Sequence, residues 1–359
     1  MELKIEKACM RDLQEIREIY ANARTFMAEN GNPGQWAGGY PTDEILINDI
    51  ELGQLYVARP ASGNRNIACV FAFFVGLDPS YFSIEDGAWL NDAEYGVIHR
   101  VAVAKWARGR GAALFCLEHC FEIYGNVRID THENNIPMQG LIEKCGFRRC
   151  GIVHMADDGT PRIAYQKCAS LILASNSPRR RELMKKLQRP FFVDPARSEE
   201  ELPADVSPED AALYLSGKKA EEVYGRYKGK GAIVIGSDTV VLLDGHIYGK
   251  PRDEADAARM LRELSGRTHE VRTGVTIITD EGRESFSSVS KVSFYELTEQ
   301  DISYYVSTGE PMDKAGAYGI QDEGALLIKG IEGDYYTVMG LPIAELNRKL
   351  NKSGIFCRM

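Results

Sequence analysis

Halfway along a chain of 359 residues, the stretch LILASNSPRRRELM (171–184) reads as the beginning of a domain. A short apolar strand meets a small polar turn, one proline and three consecutive arginines, and a helical pattern follows. A strand feeding a helix through a polar turn is the first unit of an α/β sheet. A chain of this length accommodates two domains, so a second start here divides it into residues 1–168 and 169–359. Hydrophobic residues make up 44% of the sequence, enough for each part to bury its own core. No Gly/Ser or Pro linker lies between the halves, which predicts domains held close by a short join.

Charge and cysteine usage exclude several classes. A net charge of −9 argues against a binder of nucleic-acid backbone, which is ordinarily basic, while leaving room for a local basic pocket. The eight cysteines form no CxxC pair and no His/Cys zinc spacing. Cys116 and Cys120, one helical turn apart, read as a buried thiol face. The start MELKIEKACMRD has no apolar signal region, and no stretch approaches the ~18 apolar residues of a membrane span. The expected setting is a reduced cytoplasm, with neither nucleic acid nor membrane as a partner.

In the first half, Leu13, Ile16, Ile19, Tyr20, Ala23 and Met27 recur at three and four, predicting an amphipathic helix. The loop GNPGQWAGGYP (31–41) carries Trp36 and Tyr40 among turn formers, either lining a pocket or packing as a lid. Strands are expected at 55–58, 67–75 and 96–104. A helix should rise near Ala112, after the turn Arg108-Gly-Arg-Gly-Ala-Ala113. Glycines allow that turn to approach a ligand, and helical N–H groups then face a phosphate. A strand at 127–131, Asn134 and an EKCGF turn at 143–147 follow.

This half resembles the GNAT acyltransferase family over nearly its whole length. The resemblance implies that Arg108, Gly109, Arg110, Gly111, Ala112 and Ala113 cradle the pyrophosphate of acetyl-CoA. It further implies that the backbone at Val101 and Val103 contacts the pantetheine arm, that Asn134 touches the cofactor, and that an amine, not identifiable from sequence, accepts the acetyl group. The family often places a thiol-protonating tyrosine just before its E-K-x-G-F turn. Here that place holds Ile142. Glu94, Tyr95 and His99 are candidates for the base.

The second half alternates strands and helices, an α/β (α+β) pattern with a mixed sheet. A four-residue strand at 232–235 precedes GSDT. Ser207 with Pro208 marks a helix start, Asp253 another, and Thr298 with Asp301 a third. Ser175, Arg179, Arg180, Lys219, Asp238, Thr239, Lys250, Asp313 and Lys314 sit at element ends or loops. Cations and hydroxyls with a few acids suit a polyphosphate and a divalent metal. No Walker A pattern occurs.

The blocks SNSPRRREL, GSDTVV, GKPRD, LSGRTH, EPMDKAGAYGIQ and VMGLP resemble, in order, those of the Maf family of nucleoside triphosphate pyrophosphatases. The resemblance implies cleavage to the monophosphate and pyrophosphate with Mg²⁺ or Mn²⁺. Asp238 becomes the proton acceptor and a metal ligand, with Glu200 as a further acid at the metal. Arg179, Thr239 and Gln321 fall at positions of substrate choice, and Ser175, Arg180, Lys219 and Lys250 on the phosphate side. The YGIQ form around Gln321 resembles the subfamily acting on dTTP and UTP. Three other readings stay open: a nucleotide-sensing regulator linked to septum formation, a 7-methyl-GTP-type hydrolase, and a first half reduced to a degenerate acyl-CoA-binding module. A homodimer is also left open.

Overall fold

The computed structural model describes residues 2–62, 66–198 and 201–352. The chain divides into two compact units, Met1–Ala169 with Pro190–Phe192, and Ser170–Arg189 with Val193–Met359.

The first unit runs β1 (Leu3–Lys7), α1 (Leu13–Glu29), α2 (Asp43–Glu51), β2 (Leu55–Pro60), β3 (Cys69–Val75), β4 (Gly96–Val103), α3 (Ala112–Ile123), β5 (Asn126–Thr131), α4 (Ile136–Lys144), β6 (Arg148–His154) and β7 (Pro161–Cys168). The sheet order is β1-β2-β3-β4-β5-β7-β6. Its neighbours are antiparallel except β4 and β5, which run parallel and pair only from Gly96/Val127 to Ile98/Ile129. The predicted apolar stripe of α1 is its buried face. An extra residue in β4 shifts the register against β3. Arg100 there takes a left-handed backbone, φ 54, unusual for a side-chain-bearing residue. The bulge is held by Tyr20, whose hydroxyl donates to the Arg100 carbonyl at 2.8 Å, and by Asp49, which accepts from the Arg100 guanidinium at 2.6 Å. Bulges of this kind bend a strand away from its neighbour, and β4 and β5 part at this level.

The second unit runs β8 (Leu171–Leu173), α5 (Pro178–Lys185), the end of β9 (Phe191–Val193, of which Val193 falls in this unit), α6 (Ala211–Tyr227), β10 (Ile233–Leu243), β11 (His246–Tyr248), α7 (Glu254–Leu264), β12 (Thr268–Thr279), β13 (Gly282–Phe294), α8 (Glu299–Ser307), β14 (Ile328–Glu332), α9 (Tyr335–Met339) and α10 (Ile343–Lys352). The sheet order is β14-β13-β12-β10-β8-β9, with β11 on β10. Along one edge β10 pairs with β12 from Val234 to Leu242. Along the other it pairs with β8 at 233–235 and with β11 at 241–243, leaving 236–240 without a strand partner.

Two expectations need correction. GSDT does not follow a four-residue strand; it lies inside the 11-residue β10. Gly236 is there for packing, not turning: a Cβ at Gly236 would come within 2.2 Å of the Ser216 carbonyl, and one at Gly274 within 2.3 Å of the Ala212 carbonyl, both on α6. Side-chain-free positions on β10 and β12 let α6 lie directly on the sheet. The second correction concerns Ser207, which caps a turn rather than the helix. Its hydroxyl accepts from Asp210 N at 3.2 Å, and α6 starts at Ala211 with Asp210 as N-cap. The Thr298–Asp301 capping box is present at the start of α8. Cys116 and Cys120 are both buried on α3.

Candidate active sites

In the second unit, the gap in the edge of β10 opens onto a cavity of about 740 Å³. Below the gap, β8 ends and the chain turns through Ser175 and Ser177 into α5; above it, β11 ends and the chain turns through Gly249 and Lys250. The end of a strand in a parallel pair is where open α/β sheets place their ligands. Ser175, Arg179, Arg180, Lys219, Asp238, Thr239, Lys250, Asp313, Lys314 and Gln321 all line this one cavity.

Asp238 sits at its floor, 6% exposed. Its Oδ1 accepts from the Lys219 ammonium, which α6 can deliver because of the glycine contacts beneath it. Arg180, 9% exposed, is a brace. Its guanidinium donates to the Gly340 carbonyl (2.8 Å), Ser175 Oγ (3.1 Å) and Thr239 Oγ1 (3.0 Å). Gly340 terminates α9 with φ 105, and its carbonyl also accepts from Ser237 Oγ at 3.0 Å. Thr239 Oγ1 pairs with Thr273 Oγ1 at 2.9 Å, tying β10 to β12 inside the site. Arg179 is more open and reaches Asp313 at 3.1 Å. Burial pushes the Asp313 carboxyl up, but the ammonium of Lys314 and the guanidinium of Arg179 outweigh burial and hold it below its ordinary value. Lys250 is exposed on its turn, and Gln321 is half-buried. Below the cavity wall, His269 Nε2 lies 2.6 Å from the Tyr318 hydroxyl, and burial lowers the imidazole to about 4.

Glu200 lies outside the described residues. Among the described residues no cluster of three or more His, Cys, Asp or Glu side chains converges as a metal cage. A single buried carboxylate beside several cations suits a divalent ion that arrives with phosphate oxygens, because Mg²⁺ is ordinarily held by one or two carboxylates and its substrate.

The first unit has a cavity of about 770 Å³ where β4 and β5 part. Val101, Val103, Arg108, Gly109, Gly111, Ala112 and Ala113 line it. Gly109 and Gly111 have φ 71 and 81, and a Cβ at either would meet nothing within 4 Å, so the turn forms an open cradle. Gly111 caps α3 without a side chain; the N–H groups before the first helical bond, Phe115 N to Gly111 O at 3.0 Å, point out of the helix end. Arg108 is anchored to α1, donating to the Asn22 carbonyl at 2.9 Å and stacking over Phe26 at 4.3 Å. Trp36 and Tyr40 both line the cavity, and Trp36 also packs edge-on against Tyr20 at 5.5 Å.

Arg110 and Asn134 fall outside the lining and are exposed. Asn135 lines it instead, because its side chain caps α4 by accepting from Met138 N. Ile142 is fully buried and does not reach the cavity. Of the base candidates, Glu94 accepts from Tyr124 and Tyr95 lies under Arg128, both away from the lining. His99 lines the cavity with Asp130, and its Nε2 is 2.7 Å from Asp78 Oδ2. Burial pushes the Asp78 carboxyl up, and the hydrogen bonds with His99 and Ser80 more than offset this, leaving it below its ordinary value. Asp78 and Asp130 were not flagged from sequence. The readable signal for Asp130 was an acid at the end of a buried strand.

The sequence profile of the Maf-like proteins matches residues 170–353. The chain belongs to the Maf family. The Maf domain is 50% identical over 185 residues to a protein of Bacillus velezensis named dTTP/UTP pyrophosphatase, the match covering 52% of this chain and 97% of that one. A protein of the same name from Carboxydothermus hydrogenoformans is 48% identical over 186 residues, covering 51% of this chain and 98% of its own. Ahead of the Maf domain, the profile of the acetyltransferase (GNAT) family matches residues 50–147. A GNAT-family acetyltransferase structure from Streptococcus agalactiae is 32% identical, with a TM-score of 0.43, covering 46% of this chain and 95% of that one. Among the described residues no helix is long and apolar enough to cross a membrane.

Proposed function

We propose that the Maf domain hydrolyses dTTP and UTP to the monophosphate and pyrophosphate, and that the GNAT domain transfers an acetyl group from acetyl-CoA to an amine, both in the cytoplasm. The observation that carries the hydrolase reading is the convergence of Arg179, Lys219 and Lys250 on one cavity whose floor is the carboxylate of Asp238. The cations neutralise a triphosphate. Asp238 Oδ1 is held by Lys219, which leaves Oδ2 to orient a water and take its proton as the water attacks phosphorus. Arg180 keeps Ser175 and Thr239 in place. Gln321 offers both a donor and an acceptor to a pyrimidine edge. Asp238 with the substrate's phosphate oxygens would hold a Mg²⁺ or Mn²⁺ ion, whose charge would offset that developing on the phosphates.

A nucleotide sensor is the rival reading. A sensor has no use for a buried carboxylate on the floor of an anion-binding cavity, where it repels phosphate and carries a desolvation cost. The presence of Asp238 favours turnover. Pyrophosphate release from a panel of nucleoside triphosphates, canonical and 7-methylated, with Mg²⁺ or Mn²⁺ tests the reading. Binding without release from any of them sinks it.

For the GNAT domain, the open cradle at Gly109 and Gly111 supports acetyl-CoA as the cofactor. Ile142, buried at the place of the family's tyrosine, supplies no acid, and His99 is the base candidate that lines the cavity.

A further inference from the structure

The ladder between β4 and β5 ends at Ile98 and Ile129. His99 and Asp130 are the next residues on each strand, so both project from the same face of the sheet at the point where the strands separate. The loop before β4 adds Asp78 and Tyr81. Asp78 accepts at His99 Nε2, which places the ring proton of a neutral imidazole on Nε2 and leaves the Nδ1 lone pair 3.5 Å from Asp130 Oδ1. Tyr81 donates to the same Oδ1 at 2.7 Å. Among the described residues, Asp130 Oδ2 faces the Arg162 guanidinium at 3.9 Å, an ion pair beyond hydrogen-bond reach. The Asp130 side chain is nonetheless 7% exposed.

Asp130 lines the cavity, and beside its carboxylate lies a ring nitrogen that is also an acceptor. Two convergent acceptors call for a group that brings several N–H donors. Thr131 Oγ1, fully buried in the same lining, is likewise without a partner among the described residues. The neighbouring positive charge of Arg100 is taken up by Asp49; elsewhere the lining carries both signs, Asp157 and Asp158 against Arg108, Lys144 and Arg162.

We propose that Asp130 and His99 together form the seat of the acceptor amine: Asp130 Oδ2 receives a primary ammonium, and His99 Nδ1 takes its proton. The inference rests on the acetyltransferase reading above. The ammonium gives one proton to Nδ1. The freed lone pair then attacks the acetyl carbon of the thioester and forms the C–N bond. As the C–S bond breaks, its electron pair leaves on sulfur, and the nitrogen's surplus proton passes to that thiolate. The imidazolium, held by Asp78 and facing Asp130, returns its proton to solvent.

The test uses the full-length protein with acetyl-CoA and a panel of primary amines spanning tyramine, putrescine and lysine amide, with trimethylamine as a control. Calorimetry measures acetyl-CoA binding and thiol release measures transfer. Wild type is expected to bind acetyl-CoA and to release thiol with at least one primary amine, not with trimethylamine. Asp130→Asn should raise KM for that amine by about tenfold or more, the loss of a charge-assisted hydrogen bond. His99→Gln should lower kcat by about 10²-fold. Both variants should keep the wild-type acetyl-CoA affinity, which shows that the domain is folded. If Asp130→Asn leaves KM unchanged, or if the wild type binds acetyl-CoA and accepts no primary amine, the seat is wrong and the cofactor site stands. If the wild type does not bind acetyl-CoA, the acetyltransferase reading fails and takes the seat with it.

Discussion

Lys219 and Asp238 are ion-paired on the floor of the Maf cavity, the ammonium on α6 donating to Oδ1 of a carboxylate in the middle of β10. The pair restrains the carboxylate through one of its two oxygens. Asp238→Asn keeps the shape and loses the proton acceptor, so pyrophosphate release should vanish while nucleotide affinity stays within about tenfold. Steady-state release and equilibrium titration check the two halves. Retention of more than about a tenth of wild-type turnover removes Asp238 from the base role.

The two neighbouring arginines should separate under mutation. Arg180 donates to Gly340, Ser175 and Thr239 inside the domain, so Arg180→Met should destabilise the fold by roughly 2–4 kcal/mol. Among the described residues Arg179 makes one ion pair, with Asp313 at the cavity edge. Arg179→Ala should cost less than about 1 kcal/mol of stability and act mainly by weakening nucleotide binding. Denaturant unfolding beside nucleotide titration distinguishes brace from clamp. Equal destabilisation by both would overturn the division.

Substrate choice should favour dTTP and UTP over ATP, GTP and CTP. A uracil or thymine edge presents acceptor, donor, acceptor, and the Gln321 amide can answer the donor and one acceptor together. Cytosine reverses part of that pattern and leaves a polar group unpaired, at roughly 1–3 kcal/mol. Gln321→Glu should shrink the preference, because a carboxylate has no donor. Faster hydrolysis of 7-methyl-GTP at saturating metal would refute the subfamily assignment and spare the family.

Acid should weaken the Maf domain through His269. Burial lowers this imidazole from 6.5 to about 4, so between those values the unfolded chain binds a proton that the folded one does not. Stability is therefore fully present above pH 6.5 and falls as pH drops toward 4, by roughly 3 kcal/mol in all. His269→Asn should flatten this part of the stability–pH curve. Parallel curves for wild type and variant would exclude His269 as the cause.

Gly111→Val should abolish acetyl-CoA binding. The position has φ 81 with open space beyond it, so a branched side chain is both strained and placed where a phosphate belongs. Pyrophosphate release should be unchanged, since the Maf cavity lies in the other unit. Normal acetyl-CoA affinity in the folded variant would count against the cradle.

What could be read in advance divides along physical lines. The α1 stripe was legible because helical periodicity is local, and so was the Thr298–Asp301 box, which spans a single turn. The Maf cations were legible as ordered motif blocks, and the structure gathers them at one cavity. The place of Asp238 was not. Gly-Ser-Asp-Thr has the composition of a turn; the ladder with β12 makes it strand, and the approach of α6 accounts for its glycine. Asp78 and Asp130 escaped for a different reason: strand pairing and a loop bring them to His99 across 21 and 31 positions of sequence, distances that local pattern does not span. Asn134 and Asn135 differ by one capping bond, below the precision with which a helix start can be read.

The interrupted edge of β10 has a bearing on solubility. Unpaired strand edges invite other chains to add a strand, and many proteins guard them with charge or proline. Here the unpaired stretch 236–240 is closed off at one end by β8 and at the other by β11. An intruding strand would find no room to continue its ladder in either direction. The domain can thus offer bare main-chain groups to a small molecule while withholding them from aggregation.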